Sequence, residues 1–235
     1  MNELRAIIFD FDGVIAHTEP LHFAALQGVL AGIDIVLTEA EYYRDYLGFD
    51  DRGCFMTALQ QHRRQVTTAV VTELMHHKAR AYLAAVKEHL VIFPGVRELV
   101  REAAERYPLA IASGALRNEI ELILEESGLR KAFGHITSAE DVTRGKPAPD
   151  PFLHAMAGLN QSLESRSLTP GECLVIEDSL PGIRGARAAG MKVLAVANTH
   201  ALQDLHEAHS LTPSLADIRL SDLHARVWGT AQGRA

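Results

Sequence analysis

The chain has 235 residues, 47% of them apolar and 23% charged. That is enough to bury a substantial core, and it excludes disordered, collagenous and coiled-coil classes. A net charge of −7 with pI near 5.9 marks neither a nucleic-acid binder nor a polybasic membrane binder. Cys54 and Cys173 form no disulfide framework and no zinc spacing. MNELRAIIFD lacks the pattern of a signal peptide, and no apolar run approaches the roughly 20 residues of a membrane span. A cytoplasmic protein with reduced thiols is expected. A monomer or weak dimer is expected, although no heptad or repeat marks an interface from which the oligomeric state could be read.

Ala6-Ile7-Ile8-Phe9 is too short and too uniformly apolar for a helix, and predicts a strand buried on both faces. From His17 to Leu90 the chain turns Ala-, Leu-, His- and Arg-rich with helical spacing. Helices are expected over 22–31, 39–47, 51–63 and 66–88, with Gly32, Gly48 and Gly53 at the breaks. Near Phe93-Pro94-Gly95 the strand pattern resumes. Apolar runs at 109–112, 173–176 and 192–196 alternate with amphipathic stretches at 95–106, 117–127, 151–158 and 181–189. This alternation predicts an α/β fold, a Rossmann-like parallel sheet flanked by helices, interrupted by a small all-helical insert. The expected division is 1–17 with 90–235, and 18–89. The small, polar tail 229–235 is expected to fray.

Several strand runs end in polar residues: Asp10 after the first, Ser113 after the second, Glu177-Asp178 after a later one. The carboxyl ends of parallel strands lie along one edge, where such sheets bind ligands, so these residues should converge. In Asp10-Phe11-Asp12-Gly13 the i, i+2 spacing points both carboxylates one way on an extended backbone, and Gly13 permits a sharp turn. A calcium loop is excluded, because the twelfth position from Asp10 is Leu21. Ser113-Gly114-Ala115 reads as a helix opening, either a plain cap or a phosphate site. Lys146 is one of only five lysines and lies in a Gly- and Pro-rich loop before a helix. Together these supply two carboxylate clusters, a hydroxyl and a cation, the set needed for hard-cation-assisted chemistry on a phosphate group.

DFDGV at Asp10, ASG at Ser113, GKPAPDPF at Lys146 and VIEDSLPGI at Glu177-Asp178 resemble, in order, the four motifs of the haloacid dehalogenase (HAD) superfamily. The similar subgroup contains the beta-phosphoglucomutase-like sugar phosphatases. The resemblance spans Ala6 to about Val196, and the helical insert stands where that subgroup carries a small cap domain. It implies that Asp10 attacks phosphorus and forms an aspartyl-phosphate. It makes Asp12 the general acid and then the base that activates water. Ser113, Gly114 and Lys146 bind phosphoryl oxygens. Mg²⁺ is held by Asp10, Asp178 and the backbone carbonyl of Asp12, with Glu177 supporting the metal shell. The cap is expected to act as a lid, with residues 47–52 as its specificity loop. Arg52, His22 and Asn118 are the candidate substrate contacts. The implied substrate is a small phosphorylated metabolite, a sugar phosphate or something of phosphoglycolate size.

His17 departs from the subgroup, which often has Asp there. Asp12 argues against a dehalogenase, which lacks that second carboxylate. Phosphonate-cleaving members need a cap lysine, and none occurs between His17 and His77. The sugar-phosphate mutases use an additional cap lysine where this chain has Arg63 and Arg64; Lys78, further on, reads as a surface position on its helix. Hydrolysis is therefore expected, with a mutase as the alternative. A catalytically silent phospho-ligand binder on the same fold is a second alternative. A receiver-type signalling module would be about half this length and lack the insert.

Overall fold

The computed structural model describes residues 3–46, 49–163 and 166–229. The chain divides into two compact units, Met1–His17 with Val91–Ala235, and Thr18–Leu90.

The first unit is built on a six-stranded, all-parallel sheet in the order β3-β2-β1-β4-β5-β6. The strands are β1 (Ala6–Phe9), β2 (Leu109–Ala112), β3 (His135–Thr137), β4 (Cys173–Glu177), β5 (Lys192–Val196) and β6 (Ser210–Thr212). β1, β2 and β4 are buried at every position, as continuous apolar runs require when both faces are covered. Alternate residues face opposite sides. Ala6, Ile8, Ala110, Val175 and Ala195 share one core with Phe152, Leu159 and Ile183. Those partners come from α7 (Asp150–Ser162) and α8 (Leu180–Ala188). Phe9 points the other way and meets Phe133 edge-on at 5.7 Å. The other α-helices described in this unit are α5 (Val96–Ala104), α6 (Arg117–Ser127) and α9 (Leu223–Trp228). β3 and β6 carry no apolar run in the sequence. They are three-residue strands at the two edges, and each includes a polar position.

The second unit is all-helical: α1 (Glu19–Ala31), α2 (Glu39–Glu41) continuing into a π turn over Tyr42–Tyr46, α3 (Asp51–Gln61) and α4 (Thr68–His89). α1 starts three residues before the expected helix, with Pro20 in its first turn, where its missing N–H costs nothing. α4 packs on α1 and α3. Its buried positions are Val71, Leu74, Lys78, Tyr82 and Val86. Lys78 therefore lies on the apolar stripe and is 2% exposed, which corrects its reading as a surface residue. Its Nζ is 2.8 Å from Asp51 Oδ1 and 2.7 Å from His22 Nδ1. The His22 ring stacks on Tyr82 at 4.1 Å.

Of the expected specificity loop, Leu47 and Gly48 lie outside the described residues, as do 230–235 of the tail. Among the described residues no helix is long and apolar enough to cross a membrane.

Candidate active site

Strand register sets the site. Phe9 pairs with Ile176 of β4 and Ile111 of β2, so Asp10 leaves β1 between those two strands, and its N–H donates to the Ile176 carbonyl at 2.9 Å. β1 is flanked by β2 on one side and β4 on the other, where the strand order reverses. That point of a parallel sheet, at the carboxyl ends, is where ligands bind.

Three carboxylates meet there. Asp10, Glu177 and Asp178 are all buried, and each offers an oxygen within 4.8 Å of the others. Glu177 is fully buried and accepts four hydrogen bonds. Its Oε2 accepts from the N–H groups of Asp178 and Ser179, both at 2.8 Å, and from Ser179 Oγ at 2.9 Å. Its Oε1 accepts from Lys146 Nζ at 2.6 Å. The same ammonium lies 2.6 Å from Asp10 Oδ1. The first turn of α8 makes room for this: a Cβ on Gly182 would stand 1.6 Å from Glu177 Oε1. Gly13, at φ +78°, does the same for Asp178, whose Oδ2 is 2.0 Å from where a Cβ would be.

The electrostatics follow from burial and crowding. Desolvation, then the Glu177 charge, hold the Asp10 carboxyl well above the usual carboxylate range, although Lys146 pulls it down. The same two causes push Asp178 up to about 7, against hydrogen bonding from Thr199 and the pull of Lys146. Burial opposes the charge on Lys146, but Asp10 and Glu177 outweigh it and raise its pKa. Two like charges ~4 Å apart repel by about 4 kcal/mol at an effective dielectric of 20. Three carboxylates against one ammonium leave an anionic excess, and their hard oxygens are the donor set that a hard divalent cation takes. The residues fit such an ion.

Other candidates are placed as follows. The Asp12 carboxylate is outside the three-membered cluster, though its charge acts on Asp178. Ser113 is buried beyond β2, and its N–H donates to the Thr137 carbonyl at 2.9 Å. It does not open a helix. Its Oγ accepts from Ala115 N–H at 2.9 Å in a short turn, and α6 starts only at Arg117. Gly114 is exposed in that turn, and Asn118 is exposed in the first turn of α6. Arg52 is exposed in the first turn of α3, whereas His22 is committed to Lys78. His17 donates its N–H to the Val91 carbonyl at 2.9 Å, and its ring lies 5.3 Å from Phe93.

Two site residues carry no motif signal. Thr199 Oγ1 donates to Asp178 Oδ2, and Asn198 Nδ2 donates to the Gly13 carbonyl at 2.8 Å. Both lie just past the end of β5, but Ala197 stands directly after the strand, so the rule that singled out Asp10 and Ser113, a polar residue directly after a strand, does not reach them.

The family model for haloacid dehalogenase-like hydrolases matches residues 7–196. Protein CbbY of Rhodobacter capsulatus is 32% identical, covering 95% of this chain and 95% of its own. Hexitol phosphatase B of Escherichia coli is 28% identical, covering 94% and 93%. The fold is shared with beta-phosphoglucomutase from Clostridium difficile, at a TM-score of 0.78 and 21% identity, over 95% of this chain and 96% of that one. A family model matched over most of the chain, and a relative alike along nearly all of it, settle its membership: this is an enzyme of the haloacid dehalogenase-like hydrolase family.

Proposed function

We propose that the chain is a Mg²⁺-dependent phosphomonoester hydrolase, acting on a small phosphorylated metabolite through an aspartyl-phosphate on Asp10. The observation that carries this is the Asp10 carboxylate at the central sheet edge, held by Lys146 beside two further acids. A carboxylate approaching a phosphate dianion meets like-charge repulsion. Two cations beside the carboxylate would turn that sign. Lys146 is one, and Mg²⁺ held by Asp10, Asp178 and the Asp12 carbonyl, with Glu177 in support, would supply the other and draw charge from the phosphoryl oxygens.

Asp10 attacks phosphorus, and the leaving oxygen takes a proton from Asp12. Asp12, now a carboxylate, then removes a proton from the water that hydrolyses the acyl phosphate, restoring both groups. Two displacements replace one. The Ser113 hydroxyl, the Gly114 N–H and the Lys146 ammonium hold the phosphoryl oxygens, each donating to charge that grows in transit. A phosphorylated carbohydrate is the favoured substrate, in keeping with the name of the hexitol phosphatase relative. The expected cellular setting is the cytoplasm.

The test is a screen of phosphorylated metabolites with and without Mg²⁺, glucose 1-phosphate included. Wild-type protein should release inorganic phosphate. Asp10→Asn should lose on the order of 10⁴-fold or more in kcat with its circular dichroism unchanged. Full turnover by that variant would remove Asp10 from its role. Glucose 6-phosphate appearing without free phosphate would replace the hydrolase with a mutase.

A further inference from the structure

Glu177 pairs with Ala195 across β4 and β5, so the chain leaving β5 passes beside Asp178. There it bends through Asn198–His200. Thr199 is exposed, yet its hydroxyl reaches back to Oδ2 of the buried Asp178. Asn198 donates to the Gly13 carbonyl at 2.8 Å, tying the bend to the turn that follows Asp10. The three segments are in close contact. The point 2.0 Å from Asp178 Oδ2 that a Cβ on Gly13 would occupy is also 3.0 Å from Thr199 Cγ2.

We propose that Thr199 is a positioning residue for the cation site, fixing the Asp178 carboxylate, and that Asn198 anchors the bend that carries it. The inference rests on the reading of Asp178 as a metal ligand. A carboxylate on a short side chain keeps rotational freedom about its last bond unless something orients it. A hydroxyl donor to Oδ2 removes that freedom. It leaves Oδ1 and the second lone pair of Oδ2 for an ion. Partners of this kind, which touch the ligand and not the ion, typically change metal affinity by about 10- to 100-fold when removed. Because Thr199 is exposed and belongs to no strand or helix, its replacement should leave the sheet intact.

The experiment measures Mg²⁺ binding to the full chain by calorimetry, and Mn²⁺ binding by electron paramagnetic resonance, without substrate. Thr199→Val keeps the shape and removes the hydroxyl; it should weaken binding about 10- to 100-fold with the far-ultraviolet circular dichroism unchanged. Thr199→Ser should bind within about threefold of wild type, as a restored hydroxyl predicts. Asp178→Asn is the control. If it abolishes binding while Thr199→Val binds like wild type, Thr199 has no positioning role and the metal reading stands. Equal weakening by Val and Ser would also overturn the proposal. Wild-type binding by Asp178→Asn would sink the metal reading itself.

Discussion

The two units each hold a lysine against a carboxylate, and the two lysines stand in opposite charge balances. In the helical unit Lys78 pairs with Asp51 and with the His22 ring, which burial keeps neutral, so each charge of the pair has its counterpart. At the sheet edge Lys146 faces Asp10 and Glu177, with Asp178 beside them, so positive charge is short. A closed pair needs nothing further and serves packing. An open one must protonate, recruit a cation or bind a ligand that brings one. The raised pKa values of Asp10 and Asp178 record that pressure. A buried ion pair therefore points to function through its surplus charge and not through its burial alone.

Replacing each lysine by methionine breaks the comparison most directly. Lys146→Met leaves two buried acids without their ammonium. Loss of activity on the order of 10²- to 10⁴-fold is expected, with a stability loss of about 3–5 kcal/mol at pH 7 in urea titrations. Added Mg²⁺ should restore part of that stability, since the open cluster takes a cation. Lys78→Met should respond to Mg²⁺ no more than wild type does. Equal Mg²⁺ responses in the two variants would erase the distinction.

Gly182→Ala attacks the sheet-edge group without touching any charge. The added methyl collides with the Glu177 carboxylate, which is fully buried and already accepts four hydrogen bonds. Either the helix shifts or those bonds break, at a cost of about 3 kcal/mol. A chemical denaturation midpoint equal to wild type would show that α8 yields freely.

The two lysines also mark how far the sequence could be read. β1, β2, β4 and β5 were legible because a strand buried on both faces writes a continuous apolar run. β3 and β6 were not, because three residues at an edge need little apolar surface. Asp10, Lys146, Glu177 and Asp178 stood out because each follows a strand or sits in a Gly- and Pro-rich loop, and register does the rest. Lys78 was misplaced by its charge. Its spacing from Leu74 and Tyr82 put it on the apolar stripe, so periodicity held the better answer. Thr199 was missed because its hydrogen bond to Asp178 spans 21 positions and depends on the β4–β5 register.

Lys78→Met should cost about 1–3 kcal/mol, below the usual figure for a broken buried pair because Asp51 keeps access to water. Adding Asp51→Leu should recover much of that loss, since an apolar pair of similar volume needs no desolvation. A double-mutant cycle in urea measures the coupling. An additive double variant would show that the pair contributes nothing as a pair.

The last effect is a pH dependence confined to the closed group. Burial, then the Lys78 charge, depress the His22 pKa from 6.5 to about 3. Between those values the unfolded chain takes up a proton that the folded chain refuses, so stability rises with pH across the window and falls on acidification. The slope is at most about 1.4 kcal/mol per pH unit, and less because the ring keeps some contact with water. His22→Gln removes the proton acceptor, so its stability should exceed the trend of wild type as pH drops from 6.5 towards 4. Parallel curves for the two proteins would mean that His22 protonates in place. The ammonium of Lys78, 2.7 Å from Nδ1, would then have to move away from it.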